Sequence, residues 1–130
     1  MAYAVALTTW ERLAVIDVAG VQEGSAAVLE KCLAARSALK MTSDELQELG
    51  AKEIGGGAGL SFSRPDTVES GLAREWSMTF EDEIFEFFCD AALRFERWRG
   101  VDAEKILPLL KKLKRLRAVG PMEEKTDGRK

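Results

Sequence analysis

Between Phe80 and Trp98 the chain carries more apolar side chains at helical spacing than a surface helix can use. Phe80, Ile84, Phe87, Ala91, Phe95 and Trp98 recur every three or four residues, and Phe85, Phe88, Cys89 and Ala92 flank them. A helix apolar over so much of its circumference must be enclosed on several sides, so the rest of the chain has to supply walls for it. Thr79 and Asp82 read as its start and Arg99-Gly100 as its end.

The walls are predicted mostly as helices. Thr8 followed three residues later by Glu11 has the form of a capping box and opens a short helix through Trp10, Leu13 and Ile16, ended by Gly20. A second helix runs from about Ser25 to Leu39, with Val28, Cys32, Ala35 and Leu39 on one face and Leu29 and Leu33 widening the stripe. Thr42 and Glu45 form another box, and Gly50 stops that helix after Leu49. After Arg99, Asp102 is placed to cap a last helix whose Ile106, Leu109, Leu110, Leu113 and Leu116 face inward, with Pro108 in its second turn.

From Ala51 to Met78 the helical period is lost. Gly55, Gly56, Gly57 and Gly59 crowd the segment, as only a turn or an open loop tolerates. Leu60, Phe62, Leu72, Trp76 and Met78 read as short strands around that turn, and Arg64-Pro65-Asp66 as a further break. The expected architecture is thus mainly α with a small β-hairpin, in the order α-α-α-β-β-α-α. Residues 1–119 form a single compact domain around the central helix, and residues 120–130 form a polar, disordered tail.

Composition narrows the function classes. The 130 residues are 46% apolar and 32% charged, a globular balance, and the net charge of −3 gives no global field toward nucleic acid or an acidic membrane. No run approaches the ~20 apolar residues of a membrane span, and the segment before Thr8 lacks a basic leader. Cys32 and Cys89 lie far apart in apolar helical stretches, where free cysteine behaves as a small hydrophobe; a disulfide between them is not required. A reducing, cytoplasmic setting is expected.

There is no histidine, which removes the commonest general base and the commonest zinc ligand. A cysteine nucleophile would lack its usual partner. Glu83, Glu86 and Asp90, with Glu45 and Glu48 as a second pair, have a faint likeness to the acidic helices of magnesium-dependent hydrolases. Acids at a helix N-terminus and on its solvated face account for them without a metal. The glycine run has no Gly-Lys-Ser/Thr ending and opens no helix, so it is not a phosphate cradle. No catalytic, cofactor or metal residues are assigned.

Two binding surfaces remain. Trp76 sits on a hairpin too small to bury it, and with Leu60 and Phe62 it is the candidate partner-binding surface. Lys111, Lys112, Lys114 and Arg115 concentrate positive charge on the last helix, and helix, turn, short helix and hairpin follow one another in a winged-helix order. Against nucleic acid, the helix in the recognition position, Ser43 to Glu48, is acidic.

Glu11-Arg12-Leu13 opening a short helix, Glu23-Gly24 before a longer one, then Arg36, Leu39, Thr42, Glu45 and Leu49-Gly50 ahead of a glycine-tipped hairpin and two helices form one ordered set. In that order the chain resembles a family of small uncharacterised proteins encoded in phage and prophage genomes, over residues from about 9 to 116. The resemblance implies no activity and no catalytic residues; it implies an accessory or assembly protein that works by binding. The leading expectation is a non-catalytic interaction protein that engages a protein partner or a second copy of itself. A nucleic-acid binder comes second and a magnesium-dependent hydrolase a distant third.

Overall fold

The structure, a computed structural model, describes residues 2–54 and 59–121. Strand β1 (Ala2–Thr8) leads into helices α1 (Thr9–Gly20), α2 (Ala26–Leu39) and α3 (Ser43–Leu49). Strands β2 (Ala51–Ile54) and β3 (Gly59–Phe62), helix α4 (Val68–Ala73) and strand β4 (Glu75–Glu81) follow, and helices α5 (Asp82–Arg94) and α6 (Ala103–Val119) complete the order. The fold is mainly α, as expected, with small antiparallel two-stranded sheets. No helix among the described residues is long and apolar enough to cross a membrane.

The local helix signals act as the sequence implies. Thr8 Oγ1 accepts from Glu11 N at 3.0 Å while Thr8 N donates to Glu11 Oε1 at 2.9 Å; Thr42 and Glu45 repeat the arrangement at 3.1 and 2.9 Å. Gly50 closes α3 at φ 66°, a left-handed conformation that glycine adopts without steric cost. Asp102 makes no side-chain cap bond, because a 3-10 turn over Gly100–Asp102 leads into α6 instead.

The sheets differ from expectation. β3 does pair in a hairpin, but its partner is β2; the glycines at 55–57 lie outside the described residues. Trp76 and Met78 belong to β4, which pairs with the N-terminal strand from Ala2↔Glu81 to Thr8↔Glu75, and Leu72 is helical. β1 alternates by size rather than polarity: Tyr3, Val5 and Leu7 point inward and are buried, while Ala4 and Ala6 lie on the exposed face. Residue 122 onward, including most of the expected tail, is outside the described residues.

The expected central helix is shorter, because Thr79 to Glu81 are taken by β4 and the chain leaves the helix at Phe95. Its buried face is also rotated. Phe85, Phe88, Cys89 and Ala92 are fully enclosed, whereas Ile84 and Phe87 of the expected main stripe are half-buried. Tyr3 stacks on Phe85 at 4.0 Å, and Phe88 meets Phe80 and Phe85 edge-on at 5.0 and 5.2 Å. Val15, Ile16 and Ala19 of α1, Ala35 and Leu39 of α2 and Leu109 and Leu113 of α6 complete this large core. On α2, Leu29 and Leu33 do not join the inward stripe; both are exposed. A smaller apolar cluster of Met41, Leu49 and Trp76 packs beneath the hairpin, with Leu60 and Phe62 against it.

Candidate functional site

Trp76 does not offer the free ring expected of it. It is 9% exposed, and its Nε1 donates to Thr9 Oγ1 at 2.8 Å. The Arg74 guanidinium lies over the ring at 4.2 Å and is held there by Glu48 at 2.7 Å. The ring is buried because Thr9 of α1 and Leu49 of α3 pack against it, so that it does not stand on an isolated hairpin.

Leu60 and Phe62 have a different fate. They bridge the small cluster and an open groove of about 560 Å³, bounded by α1, β3, α4 and the segment after α5. Trp10, Leu13 and Ala14 of α1 present one wall, since spacing by three and four residues sets them on the side of the helix away from buried Arg12, Ile16 and Ala19. Leu72 contributes from α4. Phe95 and Trp98 close the far end, packed edge-to-face at 4.9 Å. Asp17, Arg97, Arg99 and Asp102 form the polar rim. A second cavity of about 310 Å³ lies beyond Trp10 and Leu72 and is flanked by Glu69 and Lys105, whose Nζ stands 5.4 Å from the Trp10 ring centre.

Gly71 sets the position of Phe62. A Cβ there would come within 2.5 Å of Phe62 Cε2, so only glycine lets α4 lie this close to β3. Leu60 and Phe62 are legible in the sequence as candidates for such a surface, whereas Trp10, Leu13 and Trp98 read there first as core residues. The spacing of Trp10, Leu13, Ala14 and Asp17 on one helix face was the available signal.

The basic set divides. Lys111, Lys114 and Arg115 are exposed on α6, and none forms an ion pair with a described residue. Lys112 is used internally: its Nζ donates to Ala6 O at 2.7 Å and to Glu11 Oε1 at 2.8 Å, tying α6 to β1 and to the N-terminal cap of α1. Its expected role on a nucleic-acid surface gives way to this structural one.

Glu48, Glu86 and Asp90 are likewise engaged within the chain. Glu86 accepts from Tyr3 OH at 2.9 Å, Asp90 faces Arg94 and Arg117 at 2.8 and 3.7 Å, and Glu48 holds Arg74. Among the described residues no group of His, Cys, Asp or Glu is placed to hold a metal ion. Cys89 is buried against Leu113 O, and burial pushes its thiol up to about 11, so it carries no thiolate at neutral pH.

A buried arginine organises the other side of α1. Arg12 is 1% exposed; its Nε donates to Leu39 O and its Nη2 to Lys40 O, each at 2.9 Å, and Nη2 meets Glu45 Oε1 at 3.0 Å. It thus binds the carbonyl end of α2 and the cap of α3 together. Burial raises the Glu45 pKa, but the bonds from Arg12 and from the Thr42 backbone outweigh it and leave the carboxyl below its ordinary value. Its spacing with Val15, Ile16 and Ala19 places Arg12 on the inward face of α1, which is the signal that identifies it.

No family model matches this sequence, and neither the curated proteins nor the solved structures offer a match to it.

Proposed function

We propose that this chain is a non-catalytic interaction protein, an accessory or assembly component of the phage-encoded type its sequence resembles, acting in the cytoplasm. Its partner surface is the groove between α1 and the hairpin. The observation that carries this reading is the groove itself: Trp10, Leu13, Phe62, Leu72, Phe95 and Trp98 converge on one open cavity of about 560 Å³ with a charged rim. An apolar, aromatic centre surrounded by polar residues is the anatomy of a protein-binding site, and tryptophan is prominent among residues that dominate binding energy.

The test is partner retention by variants purified under identical conditions. Ala14→Glu places a charge on the groove wall without removing any core side chain, whereas Lys111→Glu with Lys114→Glu reverses the exposed charge on α6. Loss of a specific partner with the groove variant alone supports the reading. Loss with the α6 variant alone counts against it.

The exposed Lys111, Lys114 and Arg115 favour a second reading, binding of nucleic acid along α6. Titration of labelled duplex and single-stranded DNA and RNA at low and near-physiological salt decides it. Binding that weakens steeply with salt and disappears on reversing these residues would place α6 at the centre of function.

A further inference from the structure

We infer that the free edge of β1 pairs with β1 of a second copy, antiparallel and about a two-fold axis, so that two molecules share one four-stranded sheet. This surface is separate from the groove and does not depend on it. Thr9 N–H donates to Arg74 O at 2.9 Å, one step beyond the Thr8↔Glu75 pair of the same ladder. Alternate residues of an antiparallel strand turn their backbone groups to opposite sides. Tyr3, Val5 and Leu7 therefore bond to β4, while Ala2, Ala4, Ala6 and Thr8 turn theirs away. Two side-chain bonds agree: Thr8 N–H donates to Glu11 Oε1 at 2.9 Å, and Ala6 O accepts from Lys112 Nζ at 2.7 Å.

Beyond those two bonds the edge is unpaired. Among the described residues nothing bonds the N–H of Ala6 or the N–H and C=O of Ala2 and Ala4, and Ala4 and Ala6 are exposed. The other edge of the sheet is protected. Glu75, Ser77, Thr79 and Glu81 turn their backbone groups outward from β4, and the exposed glutamates at its two ends hinder an added strand. β1, by contrast, has neither a charge nor a proline. Setting Ala4 opposite Ala4 of the second copy places Ala2 opposite Ala6 and lets every free group pair. Ala6 O keeps Lys112 on one lone pair and receives the new donor on the other.

Charge favours a second copy over another extended chain. Near the Ala6 end, Glu11 offsets Lys112, and exposed Lys111 and Arg115 flank it on α6 with no ion-pair partner among the described residues. Near the Ala2 end, Asp82 follows Glu81, the partner of Ala2, and Glu86 accepts from the Tyr3 hydroxyl. Neither Asp82 nor Glu86 forms an ion pair with a described residue, whereas Asp90, one turn after Glu86, is engaged by Arg94 and Arg117. The edge is thus basic at one end and acidic at the other. A two-fold axis at Ala4 brings each end against the opposite sign on the second copy, so the surface is complementary to itself.

The experiment is sedimentation equilibrium over a wide range of concentration, with hydrogen exchange of the Ala4 and Ala6 amides measured at its two ends. It compares the unaltered chain, Ala4→Pro, Ala14→Glu, Lys111→Glu with Arg115→Glu, Glu86→Lys, and an equimolar mixture of the last two. Ala4→Pro removes an outward N–H and leaves the ladder to β4 intact. The expected result is a monomer–dimer equilibrium in which the Ala4 and Ala6 amides are protected only in the dimer. Ala4→Pro should abolish association, and Ala14→Glu should leave it unchanged. Each charge variant alone should associate at least about tenfold more weakly, and the two should bind each other more tightly than either binds itself.

A chain that stays monomeric at every concentration overturns the proposal and leaves the groove reading to the partner-retention test. So does association abolished by Ala14→Glu, which assigns it to the groove, or association that Ala4→Pro leaves intact. Should Ala4→Pro fail to fold by circular dichroism, the exchange measurement decides. Ala4 and Ala6 amides that exchange equally fast in monomer and dimer overturn edge pairing. Charge variants that bind each other no better than themselves rule out the antiparallel two-fold arrangement.

Discussion

The large core and the small cluster beneath the hairpin are held by different physics. In the first, Leu7, Ile16, Phe85, Phe88, Leu109 and Leu113 interlock from β1, α1, α5 and α6, and dispersion and apolar burial do most of the work. In the second, only Met41, Leu49 and Trp76 are buried among the described residues, and polar contacts hold the elements in place. Arg12 pins the turn between α2 and α3, Thr9 holds the Trp76 indole, and Arg74 bound to Glu48 covers the ring. A large apolar region tolerates gradual change, whereas a small one fixed by a few hydrogen bonds fails when one bond is lost. The groove lies where the two regions meet, with Trp10 and Leu13 from the α1 side and Leu60 and Phe62 from the hairpin side.

The largest expected effect falls in the large core. Phe88→Ala removes a ring that touches both Phe80 and Phe85, and it should cost about 3–5 kcal/mol in chemical denaturation. Arg12→Ala comes next. It strips the acceptors Leu39 O and Lys40 O and isolates Glu45, for about 2–3 kcal/mol. The contrast is qualitative as well: hydrogen exchange should rise throughout α5 and α6 in the first variant, but around α3 and the hairpin in the second. Equal, global loss of protection in both would show that the regions are one cooperative unit. Trp76→Phe keeps an aromatic ring but removes the donor to buried Thr9 Oγ1 together with part of the indole, so about 1–2 kcal/mol is expected.

The same contrast explains what could be read from sequence. Helix boundaries were legible because their causes are local: Thr8 with Glu11, Thr42 with Glu45, and Gly50 each act within one turn. β1 was not legible, since its inward residues alternate with alanines rather than polar groups and its partner β4 lies beyond four helices and a hairpin in the chain. That pairing also shifted Phe80 from helix to strand and buried Trp76. Leu60 and Phe62 could be found as apolar residues on a small hairpin. The roles of Lys112 and Trp76 could not, because the groups that engage them, Ala6 O and Glu11 for one and Thr9 and Arg74 for the other, are brought in by tertiary pairing.

The smallest effects separate the regions by pH. In the small cluster the Glu45 carboxyl titrates below its ordinary value of 4.5 in the folded chain, so its contribution is complete above that pH and is lost as the solution is acidified through the folded pKa. In the large core, burial and then the bond to Glu86 push Tyr3 from 10.0 up to about 12. The folded state therefore favours the protonated phenol, and that contribution is complete below pH 10.0 and declines toward about 12. Melting temperature measured across pH should accordingly lose its acid-side slope in part with Glu45→Gln and its alkaline-side slope in part with Tyr3→Phe. The indole N–H resonance of Trp76 should broaden or shift on the acid side before the amides of α5 respond, since protonated Glu45 leaves Arg12 buried without its counter-charge beside the ring. Simultaneous change of the Trp76 and α5 signals at acid pH would mean that the small cluster has no independent stability, and that the groove opens only when the whole molecule does.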